Sequence, residues 1–98
     1  MDFDNKKLIV EFLGSFFFIV VILNSLNDNK IGPHGIAIAL LAAIYIGGNI
    51  SGAHFNPAVT FAMILENKLV FNLGILYIIS QLSGAFAAYH FNKIVLKN

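Results

Sequence analysis

Ninety-eight residues carry 58% apolar side chains, 11% charge and a mean hydropathy of +0.81, whereas about a quarter of the residues in a soluble domain are charged. The ten Phe and the isoleucine-rich runs exceed what so short a chain can bury from water, because small domains expose too much surface per residue. Six Lys, no Arg and five acids leave a net charge of +1 and no basic patch for nucleic acid, while the absence of Cys excludes disulfides, thiolate metal sites and thiol chemistry.

What remains is an all-α membrane protein forming a single domain over 1–98. Its first predicted span is 7–26, interrupted by Glu11. Lys6 and Lys7 before an apolar run also suit a signal peptide, but Glu11 breaks the run and no small-x-small cleavage site follows. Asn24, Ser25, Asn27, Asp28, Asn29, Lys30, Gly32 and Pro33 then supply a polar, turn-rich connection. The second span is expected over 35–50, and a shorter helical piece over 57–66 closes at Glu66-Asn67-Lys68. The last span is expected over 69–91, ahead of Lys93 and Lys97.

A helix needs about 20 residues, at ~1.5 Å each, to cross a hydrocarbon core of ~30 Å. The piece at 57–66 reaches only about 15 Å, half of that thickness. The expected fold is therefore three transmembrane helices and one re-entrant half-helix. Gly35, Ala39, Ala43 and Gly47 recur on one helical face, as do Ser80, Gly84 and Ala88. Such stripes let helices approach closely in lipid; bordering a pore is the second reading. Tyr45 and Gln81 are expected to hydrogen-bond between helices, and His34 and His90 to sit at the interface. Asn49-Ile50-Ser51 fits a glycosylation acceptor, but at a membrane edge where glycosylation is not expected.

The stretch richest in chemistry is Gly48-Asn49-Ile50-Ser51-Gly52-Ala53-His54-Phe55-Asn56-Pro57-Ala58-Val59-Thr60. Asn56 suits an N-cap and Pro57 the first helical position, where a missing N–H costs nothing. A helix starting here and ending at the interface near Glu66 begins close to the bilayer midplane. Irregular backbone at that depth is tolerated only against protein or a watery cavity. The positive end of the helix dipole would point there, beside the amide donors of Asn56.

Ser51 to Thr60 resembles the first Asn-Pro-Ala box of the aquaporin and glycerol-facilitator family with its flanks. Glu11-Phe12-Leu13-Gly14-Ser15 resembles that family's first-helix Glu-x-x-x-Thr element, with Ser in place of Thr, and Gln81-Leu82-Ser83-Gly84-Ala85 resembles its third helix. The resemblance covers the first half of a six-helix pattern. It implies a passive channel for water or small neutral solutes such as glycerol; with no nucleophile, catalytic dyad or phosphate loop in the sequence, neither an enzyme nor a cofactor is expected. Asn56, Pro57 and Ala58 would form the box, and Gly52, Ala53 and His54 would supply pore-facing carbonyls. Glu11 and Gln81 would brace the re-entrant loop, with proton handling the other reading of Glu11; His54 reads as a brace, a ligand or a pH gate.

The family joins two inverted half-helices, whereas this chain has one box. A second copy inserted upside down in the bilayer is the expected partner, and family precedent extends that to a tetramer of such dimers. If the N-terminus faces inside, Lys6, Lys7 and Lys68 lie inside and Lys30, Lys93 and Lys97 outside, so there is no positive-inside bias. A different partner chain, a truncated gene product or a non-conducting interaction subunit are the alternatives. Selectivity departs from the family: Val59 occupies the position of its filter arginine. Ile36 and Ile44 fall where the second helix and its counterpart contribute to the constriction, which makes it apolar.

Overall fold

The computed structural model describes residues 2–26 and 30–96. The connection expected at Asn27, Asp28 and Asn29, and the tail residue Lys97, lie outside the described residues. Four α-helices follow in order: α1 (Phe3–Ser25), α2 (Gly32–Ser51), α3 (Pro57–Leu65) and α4 (Phe71–Phe91), the last widening into a π-helical turn at Asn92–Leu96. Three helical segments, Phe3–Ser25, Gly32–Ser51 and Phe71–Leu96, are long and apolar enough to cross a membrane. At ~1.5 Å per residue they run from about 30 to 39 Å, while α3 reaches only about 14 Å.

The distribution of side chains is inverted relative to a soluble domain. The fully buried set includes Glu11, Thr60 and Tyr77, with Ser51, Gln81 and Asn92 close behind. Large apolar groups lie outside: Ile46 is 80% exposed, Leu26 72% and Phe86 69%. Such an exterior is stable only in hydrocarbon, where apolar surface incurs no hydration penalty and every backbone polar group must be satisfied inside the chain. The protein is an integral, multi-pass membrane protein.

Small residues bring the helices together. α1 packs on both α2 and α4, and α3 packs on α4. A side chain at Gly84 of α4 would collide with the Phe12 carbonyl of α1, and one at Gly74 with Ile64 of α3. Ala39, Ala43, Gly47 and Ser51 form the buried face of α2, and Gly84 and Ala88 that of α4. Within this chain those stripes serve helix packing. At the far end, Asn24 Nδ2 donates to Asn92 Oδ1 at 2.7 Å, and Phe16 meets Phe91 edge-on at 5.4 Å.

Helix ends follow local chemistry. α2 opens at Gly32, with φ of 54°, and carries Pro33 in its first turn, where proline is well tolerated; it therefore starts before the expected residue 35. It stops at Gly52, whose φ of 91° is the left-handed cap glycine favours. The α3 start is capped by Asn56, whose Oδ1 accepts the Ala58 N–H at 2.8 Å. Tyr45 is 79% exposed and faces away from the bundle. The tyrosine that bonds between elements is Tyr77, so the interhelical role expected of Tyr45 is corrected.

Candidate functional site

Between α2 and α3 the backbone doubles back through left-handed conformations at Gly52, Ala53 and Phe55, with φ of 91°, 55° and 53°. Non-glycine residues hold such angles at a cost of about 1–3 kcal/mol each, and only where surroundings over-determine them. Here the surroundings centre on one carboxylate. Glu11, fully buried in α1, accepts from Ser51 Oγ (2.7 Å) and the His54 N–H (3.0 Å) on Oε2, and from the Phe55 N–H (2.8 Å) and Gln81 Nε2 (2.8 Å) on Oε1. Two donors per oxygen satisfy the carboxylate without a cation, and charge-assisted bonds of this kind are stronger than neutral ones.

The network extends beyond Glu11. Ser51 Oγ accepts the Ala53 N–H at 3.0 Å, which commits its own hydrogen to Glu11. Tyr77 in α4 donates to the Ser51 carbonyl at 2.6 Å, closing the end of α2. Gln81 Nε2 also reaches Thr60 Oγ1 at 2.8 Å, and Thr60 meets His54 Nδ1 at 2.8 Å. One face of α4, carrying Tyr77 and Gln81 a helical turn apart, thus ties α1, the loop and α3 into one unit.

Phe55 anchors the same loop by shape. Its ring fills the space left by the missing side chains of Gly14 and Gly47, at the floor of an apolar cleft of about 290 Å³ between α1 and α2 lined also by Val10, Leu13 and Ile46. Those side chains give a solute oxygen no hydrogen-bond partner. The polar edge lies elsewhere, along Gly52, Asn56 and Ala58, which are exposed, with His54 half-buried beside them and Ala53 buried beneath. Because Asn56 Oδ1 is held by the Ala58 N–H, its Nδ2 hydrogens are the part of the amide left to face outward.

The family profile described as Major intrinsic protein matches residues 2–98. The chain belongs to the major intrinsic protein family. Aquaporin-8 of Rattus norvegicus is 43% identical over 98 residues, covering 92% of this chain and 36% of the relative. Aquaporin NIP1-1 of Arabidopsis thaliana is 40% identical over 89 residues, covering 82% and 30% respectively. A probable TIP-type aquaporin of Medicago truncatula is 37% identical over 97 residues, covering 85% and 39%. The chain therefore spans 30–39% of the length of these relatives. No solved structure matches it.

In this major intrinsic protein, hydrogen bonds join Glu11, His54 and Gln81 directly or through Thr60, while Gly52, Ala53, Asn56, Pro57 and Ala58 follow along one segment. No Cα of α2, which carries Ile36 and Ile44, comes within 8 Å of α3, which carries Val59. Ile36 and Ile44 are themselves separated by about 80° around the helix axis. Sequence reasoning missed Ser51, Thr60 and Tyr77 as members of the network. Tyr77 carried a readable signal, a second polar side chain four residues from Gln81 on the same helical face.

Proposed function

We propose that this chain forms half of a passive membrane path for water or small neutral solutes such as glycerol, and that a second copy in inverted orientation completes it. One observation supports this above others: a helix half a membrane long starts from a loop pinned inside the bundle and leaves the Asn56 amide exposed at its positive end. A permeating oxygen would accept from Asn56 Nδ2 and pass the carbonyls of Gly52, Ala53 and His54 as it sheds water. The α3 dipole opposes cations at that point. Pro57 and Ala58 set the helix start, and Glu11 and Gln81 hold the loop against the strain at Ala53 and Phe55.

The half-length of α3 supports a second half. An inverted copy would set another α3 N-terminus against the first and present its own constriction residues. With Val59, Ile36 and Ile44 all aliphatic, the constriction would discriminate weakly among neutral solutes while raising the barrier to ions. Four such dimers would reproduce the tetrameric gathering implied by family resemblance.

Stopped-flow light scattering on proteoliposomes tests this. Water or glycerol flux above that of empty vesicles is expected. Asn56→Asp keeps the capping oxygen but replaces the donor with a charge, and it should lower flux without loss of assembly. Flux equal to that of empty vesicles from folded, inserted protein would instead favour a non-conducting interaction subunit.

A further inference from the structure

The hydrogen-bond chain Gln81–Thr60–His54 has a direction that can be worked out donor by donor. The His54 and Phe55 backbone N–H groups are donors without choice, and both meet Glu11. With the Glu11 carboxylate ionised, Gln81 presents its nitrogen to Oε1, since the reversed amide would set two acceptor oxygens 2.8 Å apart. That orientation leaves Gln81 Oε1 without a partner among the described residues, and it commits the second amide hydrogen to Thr60 Oγ1. Thr60 Oγ1 has one hydrogen of its own, and among the described residues its only other hydrogen-bond partner is His54 Nδ1. Donating that hydrogen to Nδ1 is the arrangement that leaves no buried Thr60 hydrogen unpaired.

We propose that Thr60 is a positioning residue that fixes His54 as the tautomer carrying its hydrogen on Nε2. The chain of donors runs one way, from Gln81 through the Thr60 hydroxyl into the imidazole. Nε2 then becomes a donor of set direction on the side of Gly52, where a Cβ added to the glycine would lie 3.4 Å away. Gly52 is exposed, and Nε2 has no hydrogen-bond partner among the described residues. The titratable groups facing His54 are Glu11 from α1, which takes its backbone N–H, and Tyr77 from α4, with ring centroids 5.1 Å apart. Neither reaches Nδ1, so the tautomer is set by Thr60. That the Nε2–H meets a permeating oxygen rests on the path proposed above.

Solid-state NMR of ¹⁵N-histidine-labelled full chain in lipid bilayers tests this, with His34→Gln and His90→Gln leaving His54 as the only histidine. At about pH 8, above the ordinary imidazole pKa, the expected spectrum shows a protonated Nε2 and an Nδ1 shifted by accepting a hydrogen bond. Thr60→Val should move the tautomer ratio about tenfold toward Nδ1–H and remove that shift, and Thr60→Ser should restore both. A hydrogen on Nδ1 in the otherwise unaltered chain, or a Thr60→Val spectrum matching it, overturns the proposal; the former needs no variant at Thr60 to fold. Flux measured on the same preparations separates the two readings. The expected tautomer without flux upholds the relay and sinks the path, whereas flux with the wrong tautomer sinks the relay alone.

Discussion

Glu11 Oε1 accepts the backbone N–H of Phe55 at 2.8 Å across 44 residues of chain, and this bond joins the first helix to the loop that opens the half-helix. The carboxylate takes four donors, so its shape and its full acceptor capacity both matter. Glu11→Gln keeps the shape but turns an NH₂ group toward donors on one side. The expected outcome is a loss of about 3 kcal/mol in stability, in the range for breaking a buried charged network. Reversible unfolding in bicelles measures it, and a loss below about 1 kcal/mol would show that the loop is held by packing instead.

The features legible in the sequence were those encoded over short distances. Asn56 and Pro57 mark a helix start by capping chemistry contained within a few residues, and the stretch up to Glu66 is too short to span. Spans and polar breaks follow from hydropathy alone, so the all-helical membrane fold is visible from the string. Long-range pairing was less visible. Tyr77 and Ser51 meet across 26 residues, and Gln81 and Thr60 across 21, which no local pattern specifies. Ser51 stood out as part of a glycosylation pattern, yet its hydroxyl is buried against Glu11. Tyr45 and Tyr77 both interrupt apolar spans, and only the fold decides which of them faces inward.

Two glycines in adjacent helices should respond in opposite ways. A methyl group at Gly14 would overlap the Phe55 ring, whereas one at Gly48 meets nothing within 4 Å. Gly14→Ala must displace the ring from its seat, and overpacking of this kind costs about 1–3 kcal/mol. Gly48→Ala should be neutral or stabilising by up to about 1 kcal/mol, because alanine restricts the unfolded backbone and suits a helix. Thermal unfolding of both variants in the same detergent makes the comparison. Equal effects would mean that Phe55 is not wedged where the glycine leaves room.

Tyr77→Phe removes one oxygen and almost no volume. The lost bond leaves the Ser51 carbonyl, at the last residue of α2, without the phenol that caps it at 2.6 Å. A buried carbonyl deprived of its donor should cost about 1–2 kcal/mol. The loosening should be local, since the ring still packs beside His54. Hydrogen exchange in bilayers should then show amides of 51–55 losing about tenfold in protection, with the middle of α1 unchanged. Uniform loss along every helix would instead point to a role of Tyr77 in the global fold.

Inverted pairing requires that the chain enter the membrane both ways, and its charges can be used to force one way. Lys6, Lys7 and Lys68 flank one end of the helices and Lys30 and Lys93 the other, so neither end holds a strong excess of positive charge. Topology follows lysine and arginine near span ends, with acids contributing little. The chain has no cysteine of its own, so Glu66→Cys gives a single exposed reporter. In cells, membrane-impermeant thiol reagent should label about half of that reporter from outside, with the remainder accessible only after permeabilisation. Adding Asn5→Lys and Asn72→Lys, both at exposed positions on the Lys68 end, should retain that end inside and protect nearly all of the reporter. Flux should fall in step, because chains of one orientation cannot supply an inverted partner, and co-expression with a chain biased the opposite way should restore it. A single orientation in the unbiased chain would remove the inverted copy as the second half.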